Sequence, residues 1–131
     1  MSSLTRLFAY GSLMRGLKYS ALLEGAHFVG EARTLEPYEL YDLGPYPAAS
    51  PGGERQLSGE VYRIDAATLE RVDQLEGHPD LYRRAERPLS DGTSAWIYEI
   101  VLDVRSGTRL LQAPLVPEGD WREWLSLRSA T

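Results

Sequence analysis

The chain has 131 residues, a net charge of −5 at pH 7, 43% hydrophobic residues, two histidines and no cysteine. This composition is typical of one globular domain over residues 1–131, and it excludes a disulfide framework, a thiol nucleophile and a thiolate metal site. The acidic balance and the lack of a signal-peptide or membrane-spanning stretch predict a cytoplasmic protein that binds neither nucleic acid nor membrane.

The first half of the chain is predicted to form strands separated by turns. An apolar run at residues 6–10 indicates a first strand that stops at Gly11 and Ser12. Four elements follow: a helical turn at residues 17–23, a strand at 27–35, a proline- and glycine-rich stretch with a short strand at 36–53, and a strand at 56–64.

The second half contains the clearest predicted helix. Apolar residues recur at helical spacing between Asp65, a typical N-cap residue, and Gly77, which ends the helix. A last helix begins after Asp120, because Glu123 stands at capping-box spacing from it. Between the two helices, alternating or apolar runs predict strands at residues 82–89 and 94–104.

About six strands and two or three short helices, without regular βαβ alternation, predict an α+β fold. The sheet is expected to be mostly antiparallel or barrel-like, because most of its strands follow one another through short turns.

Elimination narrows the chemistry that the chain could perform. The only histidines, His27 and His78, have no spacing that pairs them with a second metal ligand or a nucleophile. The histidine spacing predicts no metal site, and the absence of glycine patterns that bind nucleotide phosphates predicts no nucleotide cofactor. Catalysis would therefore depend on carboxylates, tyrosines and backbone amides.

Glu76 is one candidate for acid–base chemistry. It continues the apolar face of the predicted helix in its last turn, where an apolar setting, the helix dipole and Asp73 would each raise its pKa. A surface position, or an ion pair with Arg83 or Arg84, explains its placement equally well. Asp73 lies on the same face, so periodicity does not choose between the two carboxylates.

The sequence "YGSL" at residues 10–13 is a candidate anion cradle. Glycine followed by a small hydroxyl residue lets consecutive backbone N–H groups point outward together. Taken alone, the ordinary end of a strand is the simpler interpretation. Tyr38, Tyr41 and Tyr46 crowd the proline- and glycine-rich stretch, where they either line a pocket or pack with their hydroxyls at its edge.

Five motifs occur in an order that resembles the gamma-glutamylcyclotransferase-like family, and they span nearly the whole chain. They are "YGSL" at 10–13, "GPYPA" at 44–48, "SGEVYRI" at 58–64, "LERVDQLEGHPDLYRR" at 69–84 and "GDW" at 119–121. The short length and the "GDW" ending resemble the gamma-glutamylamine cyclotransferase branch, which includes an enzyme that deprotects butirosin-type antibiotics.

The resemblance implies a small mixed, mostly antiparallel β-barrel flanked by two or three short helices. It also implies a cofactor-free reaction in which the α-amine of a γ-glutamyl amide attacks its own γ-carbonyl, releasing 5-oxoproline and an amine. Glu76 falls on the catalytic glutamate, and Asp73 is left with a supporting role. The glutamyl-binding loop falls on Tyr10, Gly11, Ser12 and Leu13, whose amides hold either the α-carboxylate or the oxyanion; Tyr82 and Tyr98 are added as pocket residues.

Two departures from the family bear on specificity. Relatives carry a basic residue and then an asparagine after "YGSL", whereas this chain has Arg15 and Lys18 without the asparagine, so residues 15–19 are expected to contact a different leaving group. Gly52 and Gly53 give the following loop the freedom to act as a lid. Net charge favours a cationic or aminoglycoside-like amine, although net charge is not the charge of the pocket. The alternative function is a non-catalytic γ-glutamyl-binding module on the same fold.

Overall fold

The computed structural model describes residues 4–102 and 112–129 of the chain. In these residues six strands form one sheet, with two α-helices beside it. The strands are β1 (Thr5–Ala9), β2 (His27–Asp42), β3 (Pro47–Pro51), β4 (Arg55–Ile64), β5 (Tyr82–Pro88) and β6 (Ser94–Ile100). The helices are α1 (Ala66–Glu76) and α2 (Trp121–Ser129), and a 3₁₀ helix covers Ser20–Leu23.

The sheet is mixed and mostly antiparallel, with the strand order β3-β2-β4-β1-β6-β5. Only β1 and β6 run parallel, and their pairing joins Leu7 to Trp96. The sheet curls into a half-barrel, because Thr34 of β2 forms a bridge with Leu89 just after β5 and the Ser90 amide donates to the Arg33 carbonyl at 2.9 Å. The predicted α+β class with a small, mostly antiparallel barrel-like sheet is confirmed.

The core fills the inside of this curl. Its largest fully buried side chains come from four strands, from both α-helices and from the residue after β5, and they include Phe8, Leu40, Leu57, Ile97 and Trp121. Burial of these apolar surfaces supplies the main favourable free energy of folding. The β1 strand lies in the middle of the sheet, so its C-terminal end opens into the interior of the barrel rather than at an edge.

The helix ends agree with the sequence. The Asp65 carboxylate accepts a hydrogen bond from the Thr68 amide at 2.8 Å, and Gly77 caps α1 in the left-handed conformation with φ of 65°. At the start of α2 the Asp120 carboxylate accepts from the Glu123 amide at 3.0 Å. Within the described residues, no helix has the length and apolar character needed to cross a membrane.

Three boundaries differ from the sequence prediction. The β2 strand continues through Pro37 to Asp42, and its pairing with β4 shifts register between Arg33 and Pro37, where the proline would otherwise break the ladder. The helical turn predicted at 17–23 is reduced to the 3₁₀ helix. The strand predicted at 94–104 ends as β6 at Ile100, and its last two predicted residues, 103 and 104, lie outside the described residues.

Candidate active site

A cavity of about 120 Å³ opens where β1 ends and the last turn of α1 approaches it. Every residue that the sequence proposed for the site lines this cavity, and so do several neighbours. The lining residues are Phe8, Ala9, Tyr10, Gly11, Ser12, Leu13, Tyr19, Tyr46, Pro47, Leu75, Glu76, Leu81, Tyr82 and Tyr98. The tertiary structure therefore brings together in one place the "YGSL" loop, Glu76 of α1, Tyr82 of β5 and Tyr98 of β6.

The lining residues divide by solvent exposure into a floor and a mouth. The floor is formed by buried side chains of β1, the loop, β5 and β6, among them Tyr10, Leu13, Tyr82 and Tyr98. The mouth is formed by more exposed groups: Leu75 and Leu81 are 37% and 64% exposed, and Tyr19 and Tyr46 are partly buried. A ligand must therefore enter past leucine and tyrosine side chains.

Two close contacts hold the loop at residues 10–13 in place. Gly11 lies against Pro47 of the "GPYPA" motif, so closely that a Cβ atom at position 11 would lie 2.8 Å from Pro47 Cγ. The Met14 amide turns back to donate to the Gly11 carbonyl at 3.1 Å, and the Tyr19 amide donates to the Ser12 carbonyl at 2.8 Å. Glycine is required here for close approach and not for an unusual backbone angle.

The amides of Ser12 and Leu13 remain available to a ligand. Within residues 4–102 and 112–129 neither amide donates a hydrogen bond to another protein group, although both residues line the cavity and Leu13 is buried. Buried amides are nearly always paired, so a free pair in a cavity wall is suited to an anionic ligand.

Glu60 fixes the far end of this loop, a role that the sequence analysis did not assign. Its side chain is 4% exposed and accepts from the Arg15 amide at 2.9 Å and from the Arg15 and Arg122 guanidinium groups at 3.1 and 3.3 Å. Tyr62 donates to the same carboxylate at 2.9 Å. Burial opposes ionisation, but these donors outweigh it and lower the pKa of Glu60. The sequence carried a signal for this role, because Glu60 is a charged residue among the apolar residues of a central strand.

Glu76 has an environment unlike that of the other carboxylates. Burial raises its pKa to about 7, and desolvation is the cause of that shift. Of the three causes that the sequence suggested for a raised pKa, the apolar setting is the one that accounts for this shift. The proposed ion pair with Arg84 is absent, because Arg84 bonds Asp73 instead at 2.9 Å. A carboxyl group with this pKa exchanges protons readily near neutral pH.

Asp73 belongs to a network behind the cavity floor. Besides its ion pair with Arg84, it accepts a hydrogen bond from the Tyr98 hydroxyl. Burial alone would raise the pKa of Asp73, but these donors outweigh it and lower the pKa below its usual value. Asp73 therefore remains ionised and paired, whereas Glu76 on the same helix is free to titrate.

The tyrosine hydroxyls of the floor are engaged with the protein. Tyr10 donates to the Tyr98 carbonyl, and Tyr82 donates to the Pro47 carbonyl at 2.9 Å. Burial is the main reason that the pKa values of Tyr10 and Tyr98 are raised, so both stay neutral at physiological pH. These tyrosines shape the floor and connect it to the loop and to the "GPYPA" segment.

Other residues that the sequence singled out lie elsewhere. Of the crowded tyrosines, Tyr46 lines the cavity, whereas Tyr38 bonds Glu99 at 2.6 Å and Tyr41 bonds Glu39. Gly52 and Gly53 are not among the lining residues; a Cβ atom at Gly53 would strike the Tyr38 backbone. No group of three or more Asp, Glu, His or Cys residues is arranged to hold a metal ion within the described ranges.

Comparison with known proteins identifies the family of this chain. Residues 7–123 match the family described as gamma-glutamyl cyclotransferase, AIG2-like. A putative gamma-glutamylcyclotransferase of Vibrio cholerae is 37% identical over 115 residues, covering 88% of this chain and 93% of that protein. The gamma-glutamylaminecyclotransferase of Bos taurus is 40% identical over 90 residues, covering 62% of this chain and 54% of that protein.

The fold is also similar to that of solved structures. An uncharacterised protein of Pyrococcus horikoshii superimposes with a TM-score of 0.76 at 29% identity, covering 96% of this chain and 97% of that one. The family match extends over most of the chain, from β1 to the first turn of α2, and includes every residue that lines the cavity. The chain therefore belongs to the AIG2-like gamma-glutamyl cyclotransferase family.

Proposed function

We propose that this protein is a cofactor-independent γ-glutamyl cyclotransferase that cleaves a γ-glutamyl amide into 5-oxoproline and a free amine. The observation that carries the proposal is the meeting, in one small cavity, of a carboxyl group with a pKa of about 7 and the unpaired amides of Ser12 and Leu13. A proton carrier and an anion cradle are the two groups that this reaction needs.

The γ-glutamyl half of the substrate fits the floor of the cavity. Two groups of the reaction carry negative charge: the substrate's α-carboxylate and the oxyanion that develops on its γ-carbonyl. Either suits the amides of Ser12 and Leu13, since oriented backbone donors in a partly dry site stabilise an anion by a few kcal/mol each, in order of magnitude. Tyr10, Tyr82 and Tyr98 supply apolar ring faces around the glutamyl methylene groups.

Glu76 carries the protons. In its ionised form it accepts one from the substrate's α-ammonium, and the freed nitrogen attacks the γ-carbonyl carbon to close a five-membered ring. The carbon–nitrogen bond of the amide then breaks as Glu76 gives a proton to the leaving nitrogen. Overall the attacking nitrogen loses two protons, one to Glu76 and one to solvent water, and becomes the ring N–H of 5-oxoproline. The leaving amine gains two protons, one from Glu76 and one from water, and departs as an ammonium ion.

The test is release of 5-oxoproline by the purified protein, followed by mass spectrometry over a set of γ-glutamyl amides. We expect turnover by the wild type and a loss of about 1,000-fold or more in Glu76→Gln, because removal of a general acid–base group typically costs 10² to 10⁴ in rate. The matched control is Glu70→Gln, which removes an exposed carboxylate from the same helix and should keep full activity.

Two outcomes would contradict the proposal. Full activity in Glu76→Gln would show that another group carries the proton. Tight binding of γ-glutamyl amides by the wild type, with no 5-oxoproline from any of them, would identify the protein as a non-catalytic γ-glutamyl-binding module. Circular dichroism of each variant separates loss of chemistry from loss of fold.

A further inference from the structure

The mouth of the cavity has a composition that bears on the leaving amine. Four side chains form it: Leu75, Leu81, Tyr19 and Tyr46. The two leucines are exposed and both line the cavity near the end of α1, and exposed apolar side chains gathered at a cavity are typical of a binding surface.

Gly77 brings Leu81 close to the end of α1. A Cβ atom at position 77 would lie 2.9 Å from Leu81 Cδ1, so the absence of a side chain lets this leucine pack over the last turn. Leu75 and Leu81 line the same cavity as Glu76 and are more exposed than it. In the proposed reaction, the substituent on the nitrogen that Glu76 protonates extends from Glu76 toward this exposed part of the cavity.

The charge near the mouth differs from the charge of the whole chain. Among the lining residues, all of which belong to the described part of the chain, Glu76 is the only Asp, Glu, Lys, Arg or His. A positive charge lies beside the mouth: Lys18 Nζ is 5.3 Å from the centre of the Tyr19 ring. Arg15, the other basic residue of this stretch, turns away to Glu60 and to the Phe28 ring.

We infer that Leu75, Leu81, Tyr19 and Tyr46 form a subsite for an uncharged apolar substituent on the leaving amine. This inference rests on the proposed function, and it narrows the substrate to γ-glutamyl derivatives of alkyl or arylalkyl amines. A cationic tail meets Lys18 and finds no carboxylate partner in the lining other than the catalytic one. An anionic tail would be desolvated against the Leu75 and Leu81 side chains.

The first experiment compares kcat/KM for four substrates that share the γ-glutamyl half: the amides of methylamine, 3-methylbutylamine, 1,4-diaminobutane and glycine. The methylamide carries the smallest apolar substituent of the four and serves as the reference. We expect the 3-methylbutylamide to exceed the methylamide, the cationic amide and the anionic amide by about tenfold or more, because a few buried methylene groups supply such discrimination. A preference for the cationic or the anionic amide would overturn the inference.

The second experiment tests whether the preference for the 3-methylbutylamide comes from this subsite. In Leu81→Ser the ratio of kcat/KM between the 3-methylbutylamide and the methylamide should fall about tenfold, whereas Leu81→Met should keep it. The control is Leu35→Ser, which removes a leucine of similar exposure, 54%, that lies outside the lining; its ratio should equal that of the wild type.

The outcomes distinguish this inference from the proposed function. Turnover of the methylamide with no preference for the longer apolar amide, or a ratio unchanged in Leu81→Ser, refutes the subsite and leaves the cyclotransferase reaction standing. Absence of 5-oxoproline from all four substrates refutes the reaction itself, and the subsite with it. Thermal melting of Leu81→Ser shows whether the variant is folded under the conditions in which its kcat/KM ratio is measured.

Discussion

Gly11 and Pro47 are in direct contact, and that contact links the first strand to the "GPYPA" segment. No side chain fits between them, because a Cβ atom at Gly11 would lie 2.8 Å and 2.9 Å from Pro47 Cγ and Cδ. The Pro47 carbonyl in turn accepts the Tyr82 hydroxyl. The loop that offers the Ser12 and Leu13 amides is thus supported from behind by a rigid ring.

Gly11→Ala should displace this loop. We expect a loss of about 1–3 kcal/mol in the free energy of unfolding from overpacking, and a fall of about 10- to 100-fold in kcat/KM because the cradle moves. The double variant Gly11→Ala/Pro47→Ala removes the colliding ring and should recover part of both losses. Denaturant melts and 5-oxoproline assays of both single variants and the double variant measure this coupling; strict additivity would contradict the contact argument.

Glu60→Gln should weaken the same loop from its other end. The variant retains an oxygen for the Arg15 amide but loses the charge that pairs Arg15 and Arg122, so unfolding should become easier by about 1–3 kcal/mol. We also expect kcat/KM to fall in protein that is still fully folded at the assay temperature. Glu54→Gln, at an exposed position, is the control for loss of a carboxylate; equal stability and activity in Glu60→Gln and Glu54→Gln would rule out this role.

Glu76→Gln should stabilise the protein at neutral and alkaline pH while it abolishes turnover. The folded-state pKa of Glu76, about 7, is above the usual value of 4.5, so the wild type loses stability as pH rises through 7 and this buried group ionises. Below pH 4.5 the carboxyl is protonated in both states and this difference disappears. We expect the variant to be more stable by about 2 kcal/mol at pH 8, allowing for partial solvation, and urea melts at pH 4, 6 and 8 would measure it. A constant difference across these pH values would refute the assignment.

The pH dependence of turnover should have the same origin. Because Glu76 must be ionised to accept the first proton, kcat/KM should rise with pH and level off above a midpoint near 7. Asp73→Asn is the informative comparison. It removes the partner of Arg84 and Tyr98, so activity and stability should both fall, yet the midpoint should stay near 7. A midpoint that disappears in Asp73→Asn would transfer the proton-carrying role to Asp73.

The sequence by itself determined which elements form and where both α-helices begin and where α1 ends, because these depend on local chemistry. Asp65 and Asp120 cap the helices that they were predicted to cap, and Gly77 ends α1, since a free amide or carbonyl at a helix end needs a partner within a few residues. The order of the five motifs also indicated the family. The prediction from sequence failed at Pro37, where only the irregular pairing of β2 with β4 shows how a proline is accommodated inside a long strand.

Only the tertiary structure gives the physical reason that Asp73 and Glu76 differ. Both lie on one face of α1 at helical spacing, so periodicity treats them alike, and the family resemblance assigned the catalytic role to Glu76 without a physical cause. The fold surrounds Asp73 with Arg84 of β5 and Tyr98 of β6, whereas Glu76 lines the cavity beside the loop after β1, and no ion pair joins it to a cation within the described residues. Ionisation depends on what long-range packing brings within a few ångströms, and three residues of helix are enough to change a paired anion into a group that titrates near neutral pH.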